Sequence, residues 1–145
     1  MIRSAERGDE QAIMELIHAL ALYEKAPEEV VNTAHDLGVH LFDEKICDAF
    51  VAEVDEKIIG FALFYTNYST WKGKCLYLED FFVLPEFRGA GIGSQLFDAV
   101  VSLARERGVK RMDWQVLDWN TPALNFYEKK KAHLDPEWIN GRYFF

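Results

Sequence analysis

LPEFRGAGIGSQLF, Leu84–Phe97, joins two strongly patterned segments. An apolar, aromatic run from Cys75 to Leu84 reads as a strand and ends at Pro85. Gly89, Gly91 and Gly93 follow. From about Ile92 to Arg107, Ile92, Leu96, Val100 and Ala104 recur four apart and make one apolar helix face. Gly108 suits the end of that helix. Arg111–Leu117 then reads as another strand. Strand, turn, helix, strand in this order requires a parallel crossover.

Upstream, the period is that of an antiparallel meander. Ala49–Val54 reads as a strand, Asp55–Lys57 as a hairpin turn and Ile58–Tyr68 as the partner. STWKGK, Ser69–Lys74, connects it to the Cys75–Leu84 run. Before the meander, a short strand at Met1–Ser4 leads through Gly8-Asp9 into a helix from Glu10 to Glu24. Ile13, Leu16, Ile17 and Leu20 form its buried stripe, and Pro27 stops it. Thr33 reads as the N-cap of a second helix. Downstream, Thr121–Lys131 reads as a helix with Thr121 as N-cap and Pro122 at its first position. Tyr143–Phe145 reads as a last short strand. The expected fold is α+β: one domain over residues 1–145, with a mixed, mostly antiparallel sheet flanked by about four helices.

Composition narrows the functional class. The formal charge is −8, from 16 basic and 24 acidic residues, which argues against nucleic acid and favours small cationic partners. No apolar stretch approaches the roughly 20 residues of a membrane span. MIRSAERGDE at the N-terminus lacks a signal peptide's apolar run, so a soluble cytoplasmic protein is the expectation. Cys47 and Cys75 sit in no CxxC or Cys/His cluster; they read as reduced core thiols, with no metal site.

Arg88, Gly91 and Gly93 give R-x-x-G-x-G. Glycines admit positive φ and close backbone approach. The turn feeds a helix N-terminus, where unpaired N–H groups and the helix dipole favour an anion. A phosphate or pyrophosphate fits this description, with Arg88 or Ser94 adding donors. A dinucleotide fingerprint needs G-x-G-x-x-G after a first strand, and a P-loop needs a lysine; neither is present. An empty glycine-rich connector remains open on the turn alone.

The wider context carries a resemblance. LYLEDFFVLPEFRGAGIGSQLF followed by QVLDWNTPALNFYEKKKA resembles the GNAT superfamily of acetyl-CoA-dependent N-acetyltransferases. LALYE, VAEV, GFALFY, LYLEDFFV, RGAGIGS, DWN and NFY stand in the order of its diamine and polyamine branch, the spermidine/spermine and thialysine acetyltransferases. The resemblance covers nearly the whole chain. It implies acetyl transfer from acetyl-CoA to a primary amine of a small polyamine, diamine or lysine-like substrate by direct attack in a ternary complex. A peptide-amine acceptor and a non-catalytic acetyl-CoA binder are the alternatives. It also implies a homodimer, and relatives carry residues beyond the position of Phe145 that often join the dimer contact.

Site residues follow from the same resemblance. Glu79 matches the glutamate that accepts the amine's proton, through a water. Adjacent strand residues point to opposite faces, so only one of Glu79 and Asp80 is expected to face a given site. A carboxylate in apolar surroundings has a raised pKa and can act as a base near neutral pH; simple pairing or capping by these two carboxylates is the bland alternative. Tyr127 matches the general acid: a phenol's pKa lies above a thiol's, so it still carries its proton at neutral pH. Phe81, Phe82 and Val83 match the strand that pairs with the pantetheine arm, and a bulge near Glu79–Phe81 would open the sheet for it. Gly89, Ala90, Gly91, Ile92, Gly93 and Ser94, with Arg88, match the pyrophosphate loop. Asn120, Thr121, Pro122 and Ala123 match a second cofactor-lining stretch. Tyr23, Glu24, Asp113 and Gln115 match acceptor contacts, the last two on one face of their strand. Trp119 reads as core or as a wall of the site. Lys131 stands where the family has glycine, so the helix end there is expected to be displaced.

Overall fold

A computed structural model describes residues 1–145. The chain divides into two compact units, Met1–Trp114 and Gln115–Phe145. The first contains β1 (Ile2–Ser4), α1 (Glu10–Tyr23), α2 (Ala34–Gly38), β2 (Asp48–Val54), β3 (Lys57–Ser69), β4 (Gly73–Val83), α3 (Ile92–Glu106) and β5 (Met112–Asp113). The second contains α4 (Thr121–Lys129). The strands form one sheet in chain order. All neighbours are antiparallel except β4 and β5, which are parallel across the α3 crossover.

Alternation places the core on both faces of the sheet. Val51, Phe61 and Phe82 face α1 and α2, packing with Ile13, Met14, Leu16, Leu37 and Leu41. On the other face α3 buries Leu96, Phe97, Val100 and Ala104, and Phe97 meets Phe81 with ring centroids 5.9 Å apart. The helix period read from the sequence thus marks the buried side of α3.

The hairpin turns are tight. Val54 pairs with Lys57, so the β2–β3 loop is only Asp55-Glu56, both with positive φ (49° and 62°). That is the twist a two-residue hairpin needs, reached here without glycine. Thr33 caps α2, its side chain accepting from Asp36 N–H.

Three expectations need correction. The strand predicted over Arg111–Leu117 is only Met112–Asp113. α4 is capped by Asn120, whose side chain accepts from Ala123 N–H at 3.3 Å; Thr121 and Pro122 are its first two helical residues. Asn is the stronger N-cap of the two candidates. Tyr143–Phe145 forms no strand and is exposed, because the Gln115–Phe145 unit offers it no ladder to join. The end of α1 before Pro27 is as expected, and the structure shows what closes it. Lys25 takes φ +63°, and Lys25 and Ala26 N–H bond to Leu22 and Ala21 C=O. This left-handed cap closes the helix and leaves Glu24 at its C-terminal boundary.

Candidate active site

Register shows what the middle of β4 does. Leu63 pairs with Asp80, but Phe64 pairs with Leu78, so Glu79 is an extra residue in the ladder. This is the expected bulge, and it changes the phase of the strand. Leu76 and Leu78 share a face with Phe64, and Phe81 with Ala62. Asp80 and Phe82 instead lie opposite Leu63 and Phe61, on the α1 side.

The bulge corrects the expectation that Glu79 and Asp80 point apart. Tyr65 lies on the same side of β3 as Leu63, two residues on. Its hydroxyl donates to Glu79 Oε1 at 3.2 Å. Its ring stacks on Tyr77, directly opposite, at 5.4 Å. Both carboxylates therefore serve the side where α1 ends in Tyr23 and Glu24.

Their environments differ, and not as the sequence suggests. Glu79 is exposed. The apolar setting predicted for it belongs to Asp80. Burial, and then the carboxylates of Glu79 and Glu24, push the Asp80 carboxyl up to about 7. Burial also raises Glu24. Three acidic groups from α1 and β4 thus share one electrostatic site, and bringing a cation to it relieves their mutual repulsion. Tyr65 is raised to about 12, by burial first and then by Glu79, so it stays a proton donor across the neutral range.

Beyond the bulge, β4 runs to Val83. Its edge away from β3 pairs with β5 only at Leu76 and Tyr77, so the ladder opens before Phe81–Val83. The chain then turns through Pro85–Phe87 into the glycines. Gly89 and Gly91 take φ +85° and +82°, and a Cβ on either would meet nothing within 4 Å. Glycine is needed there for backbone conformation, and the space before the turn is open. Gly93 is helical, with an ideal Cβ in ordinary contact 3.7 Å from Phe81 Cζ. Gly91 is the N-cap of α3 and offers no side-chain cap. The N-terminal amides of Ile92, Gly93 and Ser94 belong to a 15-residue helix whose dipole favours an anion at that end. An anionic diphosphate fits this cradle.

Arg88, expected to add a donor to the cradle, makes its contacts elsewhere. Its Nε donates to Val83 C=O at 2.9 Å, and its guanidinium carbon lies 5.2 Å from the Tyr23 ring centroid and 5.3 Å from that of Phe82. The side chain reaches back toward α1.

Asp113 lies opposite Tyr77 and accepts from Arg111 Nε at 2.7 Å. The strand ends there, so Asp113 and Gln115 share no strand face. Gln115 belongs to the second unit, where it donates to Asn140 Oδ1 at 2.6 Å. In that unit Tyr127 is buried on α4, its ring edge-on to Phe126 at 5.4 Å. Asn120 is buried as the α4 cap, Thr121 and Pro122 are exposed and Ala123 is half-buried. Trp119 is 42% exposed, so it is not core.

A model of the acetyltransferase (GNAT) family matches residues 11–131. The chain belongs to that family. Thialysine N-epsilon-acetyltransferase of Caenorhabditis elegans is 39% identical over 118 residues, covering 81% of this chain and 73% of its own. A human spermidine/spermine N(1)-acetyltransferase-like protein 1 is 34% identical over 139 residues, covering 90% of this chain and 20% of its own. The fold is shared with an aminoglycoside acetyltransferase from an uncultured soil metagenomic sample. That crystal structure has a TM-score of 0.82 and 20% identity, and covers 100% of this chain and 95% of its own. The protein is an N-acetyltransferase of the branch its motifs resemble, in a family that uses acetyl-CoA as co-substrate.

Two residues of the candidate site, Asp80 and Tyr65, carry little signal in the sequence. Asp80 was visible beside Glu79, but its face and burial depend on the bulge. Tyr65 gave no signal beyond aromatic alternation in β3, because its pairing with Tyr77 is a matter of register.

Proposed function

We propose that this acetyltransferase moves an acetyl group from acetyl-CoA to a primary amine of a small polyamine, diamine or lysine-like molecule, by direct attack in a ternary complex. Residues 1–145 form one such domain in this reading, since the family match runs through both compact units. The observation that carries it is the bulge at Glu79. It sets Glu79 and Asp80 on the side where α1 presents Tyr23 and Glu24, on the strand that leads into the glycine turn. A cationic acceptor suits that acidic ground, and the relatives' names point to the same chemistry.

The residues present fit the co-substrate. The positive-φ glycines and uncapped α3 N-terminus would hold its diphosphate through Gly89–Ser94, and the open edge at Phe81–Val83 would hold its amide-bearing arm. Acetyl-CoA, when bound, supplies the acetyl thioester. Asn120–Ala123 match a stretch that lines the cofactor in the family the chain resembles. Glu24 and Asp80 bind and orient the cationic acceptor. The Glu79 carboxylate, held by the Tyr65 hydroxyl, takes the amine's proton, directly or through a water, so that the nitrogen attacks as a neutral amine. The Tyr127 hydroxyl gives a proton to the departing sulfur. Positioning supplies much of the remainder.

Thiol release across an amine panel tests this reading. Spermidine, putrescine, thialysine, lysine and peptide amines are each offered with acetyl-CoA. Release with the small cationic amines is expected. Release confined to peptides would overturn the acceptor class, and tight acetyl-CoA binding with no release for any amine would favour a non-catalytic binder.

A further inference from the structure

Arg88 opens the glycine turn, yet its side chain is spent elsewhere. One side chain touches three groups on two elements: the last carbonyl of β4 through Nε, the ring of Phe82 in the same strand on the α1 face of the sheet, and the ring of Tyr23 at the end of α1. Phe82 is buried, so that side of the contact is fixed. Tyr23 is only half-buried, on the last residue of a helix whose following turn carries Glu24. A cation centred over an aromatic face within about 6 Å is attracted to it, and Arg spreads that attraction over a planar group. Arg88 therefore ties the end of α1 to the strand and the turn, beside the packing of Tyr23 on the core.

We propose that Arg88 is a positioning residue. It fixes Tyr23 and Glu24 relative to the glycine turn, so that the acceptor ground and the cofactor cradle are set together. The proposal rests on the acetyltransferase reading of those two surfaces. It differs from that reading in what Arg88 does: the side chain serves the acceptor side through Tyr23, whereas a phosphate ligand would serve the cofactor alone.

A double-mutant cycle in the full chain separates the two roles. Arg88→Met, Tyr23→Leu and the double variant are compared with wild type for thialysine KM, kcat and acetyl-CoA Kd, with melting temperatures to confirm folding. Either single variant should raise the thialysine KM about three- to thirtyfold, with a smaller change in kcat. The double variant should be little worse than either single one. In a Tyr23→Phe background, which keeps the ring, Arg88→Met should cost as much as in wild type. Additive effects, or a weaker acetyl-CoA Kd with an unchanged thialysine KM, would overturn the proposal and return Arg88 to the phosphate. A wild-type protein that releases no thiol with any amine overturns the functional reading itself, and this appears before any variant is compared.

Discussion

Tyr65 donates to Glu79 across the β3–β4 ladder, and Glu79 is the residue that the ladder leaves over. A bulged residue has no cross-strand partner of its own, so its side chain needs another restraint. The Tyr65 hydroxyl supplies it, and stacking on Tyr77 fixes the ring that carries the hydroxyl. Tyr65→Phe keeps the stack and removes the donor. The lost bond is worth about 0.5–1.5 kcal/mol, so kcat/KM should fall roughly two- to twelvefold. Because Glu79 is exposed, the melting temperature should hardly move. A full-activity Tyr65→Phe enzyme would show that Glu79 needs no such restraint.

Asp80 makes stability depend on pH in a direction opposite to that of a salt-bridged carboxylate. Its folded value is about 7, well above the ordinary aspartate value of about 3.9, so folding favours its protonated form. The stability it contributes is fully present below about pH 4 and is lost as pH rises through 7. Asp80→Asn removes that dependence. The variant should melt above wild type at pH 8, by on the order of 2 kcal/mol or roughly 4–8 °C, and the two curves should converge toward pH 4. A constant gap at every pH would place the effect in packing. The same ionisation should lower the KM for a cationic acceptor between pH 6 and 8 in wild type, and less so in the variant.

The long elements were legible because each carries its own period over many residues: α1, α3 and the β2–β3–β4 meander differ from expectation by one or two residues at their ends. Arg111–Leu117 shows the limit. Its alternation is strand-like, but a strand also needs an edge. The β4–β5 ladder stops at Tyr77, two residues before Glu79, where the bulge bends and twists β4. The motif placed the bulge correctly, while its effect on β5 and on the side chain of Asp80 is tertiary. The contacts of Arg88 were hidden for a similar reason. Sequence showed a cation beside an anion-binding turn, and nothing local indicated the rings of Tyr23 and Phe82.

The two outer residues of G-x-G, Gly91 and Gly93, carry different demands. At Gly91, φ is +82° with open space around a Cβ, so Gly91→Ala pays for conformation alone, about 1–2 kcal/mol. It should lower the melting temperature and weaken acetyl-CoA binding together. Gly93 is helical and has room for a methyl. Gly93→Ala should leave the fold unchanged or stabilise it by up to about 1 kcal/mol. If it nonetheless weakens acetyl-CoA, measured by calorimetry, the second glycine is there for the ligand. A destabilised Gly93→Ala would contradict the geometry.

Lys131 provides the last test, and it corrects an expectation. A lysine in the family's glycine position was expected to displace the helix end. Instead Lys131 adopts φ +61°, and Lys131 and Ala132 N–H bond to Glu128 and Tyr127 C=O at 2.9 and 3.0 Å. The left-handed cap forms with the lysine inside it, as it does at Lys25. A non-glycine residue in that conformation costs about 1–2 kcal/mol, while glycine gives back about 0.4–1 kcal/mol through the freer unfolded chain. Lys131→Gly and Lys25→Gly should therefore each stabilise the protein by roughly 0.5–1 kcal/mol, seen as a higher denaturation midpoint at unchanged slope. Lys131→Gly acts on the turn whose carbonyl belongs to Tyr127, so its activity is informative too. Unchanged kcat with raised stability is expected, because the cap is already closed around the lysine. A rise in kcat would mean that the lysine holds the α4 end, and Tyr127 with it, away from its working position.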